Sequence, residues 1–91
     1  MPTAHACTAA TAGATASTIL EANGARKVLT IQPLDGDIWI RTDGQAATAA
    51  APSLKIVSGR DYSPPESQVP SASISIIRAG SSNVSVTVVE G

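Results

Sequence analysis

Large aliphatic side chains begin at Ile19, and from there they come in short runs separated by Gly, Pro, Asp, Asn and Ser. The strongest stretch is residues 26–41. Val28, Leu29 and Ile31 lie on one side of Asp35-Gly36-Asp37, and Ile38, Trp39 and Ile40 on the other. β-Branched and aromatic runs around a Gly/Asp turn signal predict two antiparallel strands joined as a hairpin, over 26–32 and 37–41. Pro33 has no N–H to give to a ladder, so it belongs at a strand end or an edge. With a period of two, Ile38 and Ile40 facing in place Trp39 on the other face.

The same style continues downstream. Residues 18–21 read as a short edge strand before the Asn23-Gly24 turn. Residues 54–57 read as a short strand, with Leu54 and Ile56 on one face and Lys55 on the other. In 72–78, Ile74 and Ile76 alternate with Ser73 and Ser75. In the last run, Val84, Val86 and Val88 alternate with Ser85, Thr87 and Val89. These last two runs read as a second hairpin with one wet face. The low-complexity Ala-rich stretch 46–51 reads as a loop or a loop with one irregular strand, and the proline-rich stretch 62–70 as a loop, since Pro cannot sit in a central strand. Six or seven short strands with turns every eight to twelve residues predict an all-β fold, a small antiparallel sandwich or jelly-roll-like barrel.

Residues 1–18 are different, being almost entirely Ala, Thr, Ser and Gly. Alanine favours helix, but the threonines and Gly13 oppose it, and there is no large apolar face to dock. The segment reads as a disordered tail or as an extended arm lying on a partner. The chain therefore divides into an arm, 1–17, and a β domain, 18–91. Thr8 and Thr11 represent the arm as candidate contact residues.

Composition narrows the function classes. Ninety-one residues make one domain. The aromatics are Trp39 and Tyr62, and Phe is absent, so the core is thin. Thin unstapled β domains gain from association, and a homo-oligomer is expected. The net charge is −1, and Arg26, Lys27, Arg41, Lys55, Arg60 and Arg78 are dispersed among acidic residues. Neither nucleic acid nor an anionic membrane is favoured as a partner. Cys7 is the only cysteine, which excludes an intrachain disulfide. No signal peptide is expected, because no basic region followed by an apolar run opens the chain. No stretch is long and apolar enough to span a membrane.

Catalytic patterns are not visible. His5 and Cys7 are too few to close a metal site. The Asp35-x-Asp37 fragment resembles the start of a calcium loop, but the remaining ligands are missing, and turn chemistry explains it. A Ser-His-Asp triad would have to recruit His5, the one histidine, from the tail. Catalytic, cofactor and metal residues are therefore all expected to be none, and the chain is read as non-enzymatic. Trp39 and Tyr62 are contact candidates, because large aromatics supply the most interface area. Arg26 and Arg41 are candidates for subunit ion pairs.

One resemblance goes further. The chain runs Asn23-x-x-Arg26-x-x-Leu29-x-Ile31-Gln32, then Asp37-Ile38-Trp39-Ile40, Gly44 and 54–59. It ends in Ala72-Ser-Ile-Ser-Ile76 and Val84-Ser-Val-Thr-Val-Val-Glu90. In this it resembles a group of small bacteriophage virion proteins, most closely the capsid cement or decoration proteins. The resemblance covers roughly residues 23–90. It implies a β-sandwich, often trimeric, that sits on the outer head surface and bridges the major capsid (coat) proteins. It implies location in the virion after synthesis in the host cytoplasm. The other expectations are a fibre, tail or connector-associated virion domain that binds a receptor or glycan, and a generic carbohydrate-binding or cell-surface module.

Overall fold

The computed structural model describes residues 6–91. It contains seven strands: β1 (Ala6–Ala12), β2 (Ser17–Leu20), β3 (Leu29–Pro33), β4 (Ile38–Arg41), β5 (Leu54–Ile56), β6 (Ile74–Arg78) and β7 (Val84–Glu90). A single 3-10 turn, Glu66–Gln68, interrupts the proline-rich loop. The strands form two antiparallel sheets, a three-stranded one in the order β1-β7-β3 and a four-stranded one in the order β2-β6-β4-β5. The chain is the small all-β sandwich that its alternating pattern predicts.

Alternation decides what is buried. Leu29 and Ile31 of β3 and Val84, Val86 and Val88 of β7 form the inner face of one sheet. Ile38 and Ile40 of β4 and Ile74 and Ile76 of β6 form the inner face of the other. Ala12 closes this core from β1, and Ile19, Leu20, Ile56, Tyr62 and Val69 pack around its margin. Burying a branched aliphatic side chain contributes about 2 kcal/mol, so these two facing rows carry most of the fold's stability.

Neither expected hairpin is one. β3 and β4 lie in different sheets, and so do β6 and β7. Residues 34–37 form an arch from one sheet to the other, fixed by main-chain and aspartate bonds. Leu34 N–H bonds Ser85 O at 2.9 Å. Asp35 Oδ1 accepts from Ser85 N–H at 2.8 Å, and Asp37 Oδ1 from Ser58 N–H at 2.8 Å. The Ala79 N–H donates to Asp37 O at 3.0 Å. Turn residues between two apolar runs suit an arch as well as a hairpin, and here Asp35 bonds to β7 of one sheet while Asp37 bonds to the turn that follows β5 of the other. Gly36 is needed because a Cβ there would lie 2.8 Å from Val84 Cγ2.

The N-terminal boundary also moves. Residues 6–12, expected in an arm, pair with β7 over their whole length, Ala6 opposite Glu90 through to Ala12 opposite Val84. A seven-residue strand with a fully buried valine row requires a neighbour on each side. The small inner side chains of Ala10 and Ala12 let β1 fill one of those places, against the core and in contact with β6. The sandwich therefore begins at β1 rather than at residue 18. Residues 1–5, the rest of the expected arm, lie outside the described residues.

The wet face expected for Ser73 and Ser75 is partly covered. The loop between β4 and β5 folds over the outer face of the four-stranded sheet. Ala47 N–H donates to Ser75 Oγ at 3.0 Å, and both residues are buried. Within that loop, Thr48 N–H donates to the buried Ser53 hydroxyl at 3.0 Å.

Candidate functional site

The residues singled out from the sequence do not converge on one site. Arg26 has a fully buried side chain and is wholly occupied within its own chain. Its Nε donates to Glu90 Oε2 at 2.7 Å, its Nη2 to Glu21 O at 2.7 Å, and its Nη1 to Pro70 O at 2.5 Å and Ala72 O at 3.2 Å. Asn23 N–H bonds Ser71 O at 2.7 Å, and the amides of Lys27 and Val28 bond Gly91 O at 2.6 and 2.9 Å. The Asn23-x-x-Arg26 stretch is thus a clamp joining the β2–β3 connection, the proline-rich loop and the end of β7. The expected subunit ion pair at Arg26 is corrected to an intrachain one, because the guanidinium has no surface left to offer a partner.

Arg41 also pairs locally. Its Nε and Nη2 donate to both oxygens of Asp43 at 2.9–3.1 Å. This bidentate contact lowers the Asp43 carboxyl below its ordinary 3.8, and the Gln45 N–H bonded to Oδ1 adds to the effect. Arg41 keeps part of its surface exposed, unlike Arg26.

Trp39 lies on the outer face of the four-stranded sheet, opposite Lys55 on β5 and Ile77 on β6. It is half-buried, and the Lys55 ammonium sits 5.8 Å from its ring centroid, at the limit of a cation–π contact. Tyr62 is 23 residues away in sequence and has a different task. Its N–H and C=O exchange bonds with Ile31 at 2.9 and 3.0 Å, and its side chain packs on the core margin. It caps the outer edge of β3. The two aromatics do not form a shared platform.

Thr8 and Thr11 are exposed on β1. Cys7 is exposed on the same strand, while His5 lies outside the described residues. Among the described residues no three His, Cys, Asp or Glu side chains come together in a way that could hold a metal ion. No helix is long and apolar enough to cross a membrane.

No family model, curated protein or solved structure matches the chain. The surface itself must therefore supply the functional reading, and two features of it were not foreseen from the sequence. The first is apolar. Among the described residues the exposed large hydrophobics are Leu34 (54%), Leu54 (47%) and Val57 (40%). Leu54 belongs to β5, Val57 follows it, and the Ser58 hydroxyl reaches Leu34 O at 3.4 Å. Leu54 shares the face of its pair partner Ile40, yet unlike Ile40 it stays exposed. Lys55 and Asp37, 3.9 Å apart, provide a charged rim.

The second feature is the outer edge of β1. Ile31 spends its main-chain groups on Tyr62, so Ile31 and Val88 are a non-hydrogen-bonded pair. The main-chain groups of Val88 therefore point at Thr8, and the alternation follows along the strand. Thr8, Ala10 and Ala12 bond to β7, whereas Cys7, Ala9 and Thr11 turn their N–H and C=O groups outward. Among the described residues nothing pairs with those outward groups. A strand of Ala and Thr carries no large-residue alternation that would signal this edge. The available signal was the unbroken valine row of β7, which demands two neighbours.

Proposed function

We propose that the chain is a non-enzymatic structural protein of a bacteriophage virion, a cement protein that docks on the outer head surface and bridges coat subunits. The observation that carries this reading is the exposure of three large aliphatics, Leu54 on β5, Val57 just after it and Leu34, whose C=O accepts from the Ser58 hydroxyl. Isolated exposed aliphatics are ordinary, but three in or next to one short edge strand and its neighbouring arch offer apolar contact area to a partner docking at that edge. A cement protein works mechanically. It adds contact area that must be broken before neighbouring coat subunits can separate, and many copies on a regular shell bind with avidity. The resemblance carried by Asn23, Arg26, Asp37–Ile40 and the C-terminal valine strand points the same way. The receptor- or glycan-binding reading has less to rest on, because Lys55 lies over the Trp39 ring that would stack on a sugar.

The test is co-sedimentation of purified protein with heads of the phage that encodes it. Wild-type protein is expected to pellet with the heads. Leu54→Asp, whose side chain is already half in water, is expected to fold normally and stay in the supernatant. Wild-type protein that remains in the supernatant at saturating heads would refute the cement reading.

A further inference from the structure

We propose that β1 is a self-pairing edge: two copies of the chain join antiparallel through Ala6–Ala12 to form one continuous six-stranded sheet. The evidence is a comparison of the sandwich's four sheet edges. β3 is covered by the Tyr62 bridge to Ile31, with Thr30 Oγ and Ser63 Oγ 3.0 Å apart beside it. β2 has four residues and a register shift between Thr18 and Leu20. β5 has three residues, with Lys55 at its centre and Pro52 just before it. Short length, bulges, lysine, proline and covering segments are the devices by which proteins keep sheet edges from pairing. Among the described residues β1 has none of them. It runs for seven residues without a charge, a proline or a break in its register.

A second copy is the occupant this edge fits. Its outward main-chain groups belong to Cys7, Ala9 and Thr11, a set that is symmetric about Ala9. A two-fold axis through Ala9 places Ala9 opposite its own counterpart and Cys7 opposite Thr11 of the other copy. Each outward pair then exchanges two N–H···O bonds. No charge opposes a like charge across the junction, and the small side chains allow close approach. The contact is mostly main chain and buries less than the roughly 1,200 Å² of a stable interface, so the dimer is reversible. It pairs two copies, not the three that the cement resemblance implies, and it stands whether or not that reading is correct.

The experiment is sedimentation velocity of the full chain from micromolar to millimolar concentration, with three variants. Ala9→Pro removes an outward donor and leaves the β1–β7 ladder intact, since edge strands accept proline where the N–H faces solvent. Ala9→Lys and Ala9→Glu each put like charges face to face on the axis, and mixing them puts opposite charges there. We expect the wild-type mass to rise toward twice the monomer, Ala9→Pro to remain monomeric with an unchanged circular dichroism spectrum, and the Lys and Glu variants to be monomeric alone and dimeric when mixed. If Ala9→Pro fails to fold, the Lys/Glu mixture decides. A wild-type monomer at millimolar concentration, or a dimer that neither Ala9→Lys nor Ala9→Glu weakens, would overturn the proposal.

Discussion

Arg26 Nε bonds Glu90 Oε2 at 2.7 Å, joining residues 64 apart in sequence, with the arginine side chain fully shielded from water. The guanidinium fork also serves the carbonyls of Glu21, Pro70 and Ala72, so a single side chain ties three segments together. Arg26→Ala leaves those acceptors without their donor and the Glu90 carboxylate without its partner. The expected loss is about 3 kcal/mol. In a domain of this size that is roughly 10–20 °C in Tm. Glu90→Gln keeps an oxygen for Nε and should cost about 1 kcal/mol. Thermal unfolding followed by Trp39 fluorescence measures both. Equal, small effects would mean that the clamp does not hold the fold.

Gly36 tests the arch between β3 and β4. Gly36→Ala drives a methyl into Val84, which is a core residue, so the arch or the strand must shift. The expected cost is about 1–3 kcal/mol. Gly24→Ala is the control, because a Cβ there meets nothing within 4 Å. Urea unfolding should separate the two variants clearly, and the double variant Gly36→Ala/Val84→Ala should be less than additive.

The lowered Asp43 carboxyl gives a pH prediction. Because the Arg41 hydrogen bonds depress the folded value, the contribution is present above the ordinary 3.8 and is lost as pH falls through the folded value. Asp43 is fully exposed, so the effect on global stability is small. The direct readout is the carboxyl titration by NMR. Its midpoint should lie below 3.8 in the wild type and move up in Arg41→Gln. An identical midpoint in both proteins would show that the bidentate pair does not form in solution.

Much of the fold was legible in the sequence. The alternations around Ile38, Ile40, Ile74, Ile76 and the β7 valines identify both strand and buried face, because a period of two is a local property. Trp39 on the opposite face from Ile38 and Ile40 follows from the same rule. Which strands share a sheet is not local. Asp35-Gly36-Asp37 looks the same in a hairpin and in an arch, and only the positions of Ser58 and Ser85 distinguish them. β1 was hidden because its inner residues are alanines, whose fit depends on the strand beside them. Arg26 was misjudged for a related reason. A lone arginine in sequence reads as surface, and its burial depends on Glu90 and on the Pro70 and Ala72 carbonyls, all far away in the chain. The exposure of Leu34, Leu54 and Val57 escaped notice because whether an aliphatic is covered depends on the elements packed against it, which no single strand reveals.

The most direct test of the account is amide hydrogen exchange along β1, resolved by NMR at low and at high protein concentration. At low concentration the amides of Thr8, Ala10 and Ala12 should be protected by β7, while those of Cys7, Ala9 and Thr11 exchange freely. At high concentration the second set should slow as the edge finds its copy. Fast exchange of all six amides at every concentration would contradict the account, and would return residues 6–12 to the status of an arm.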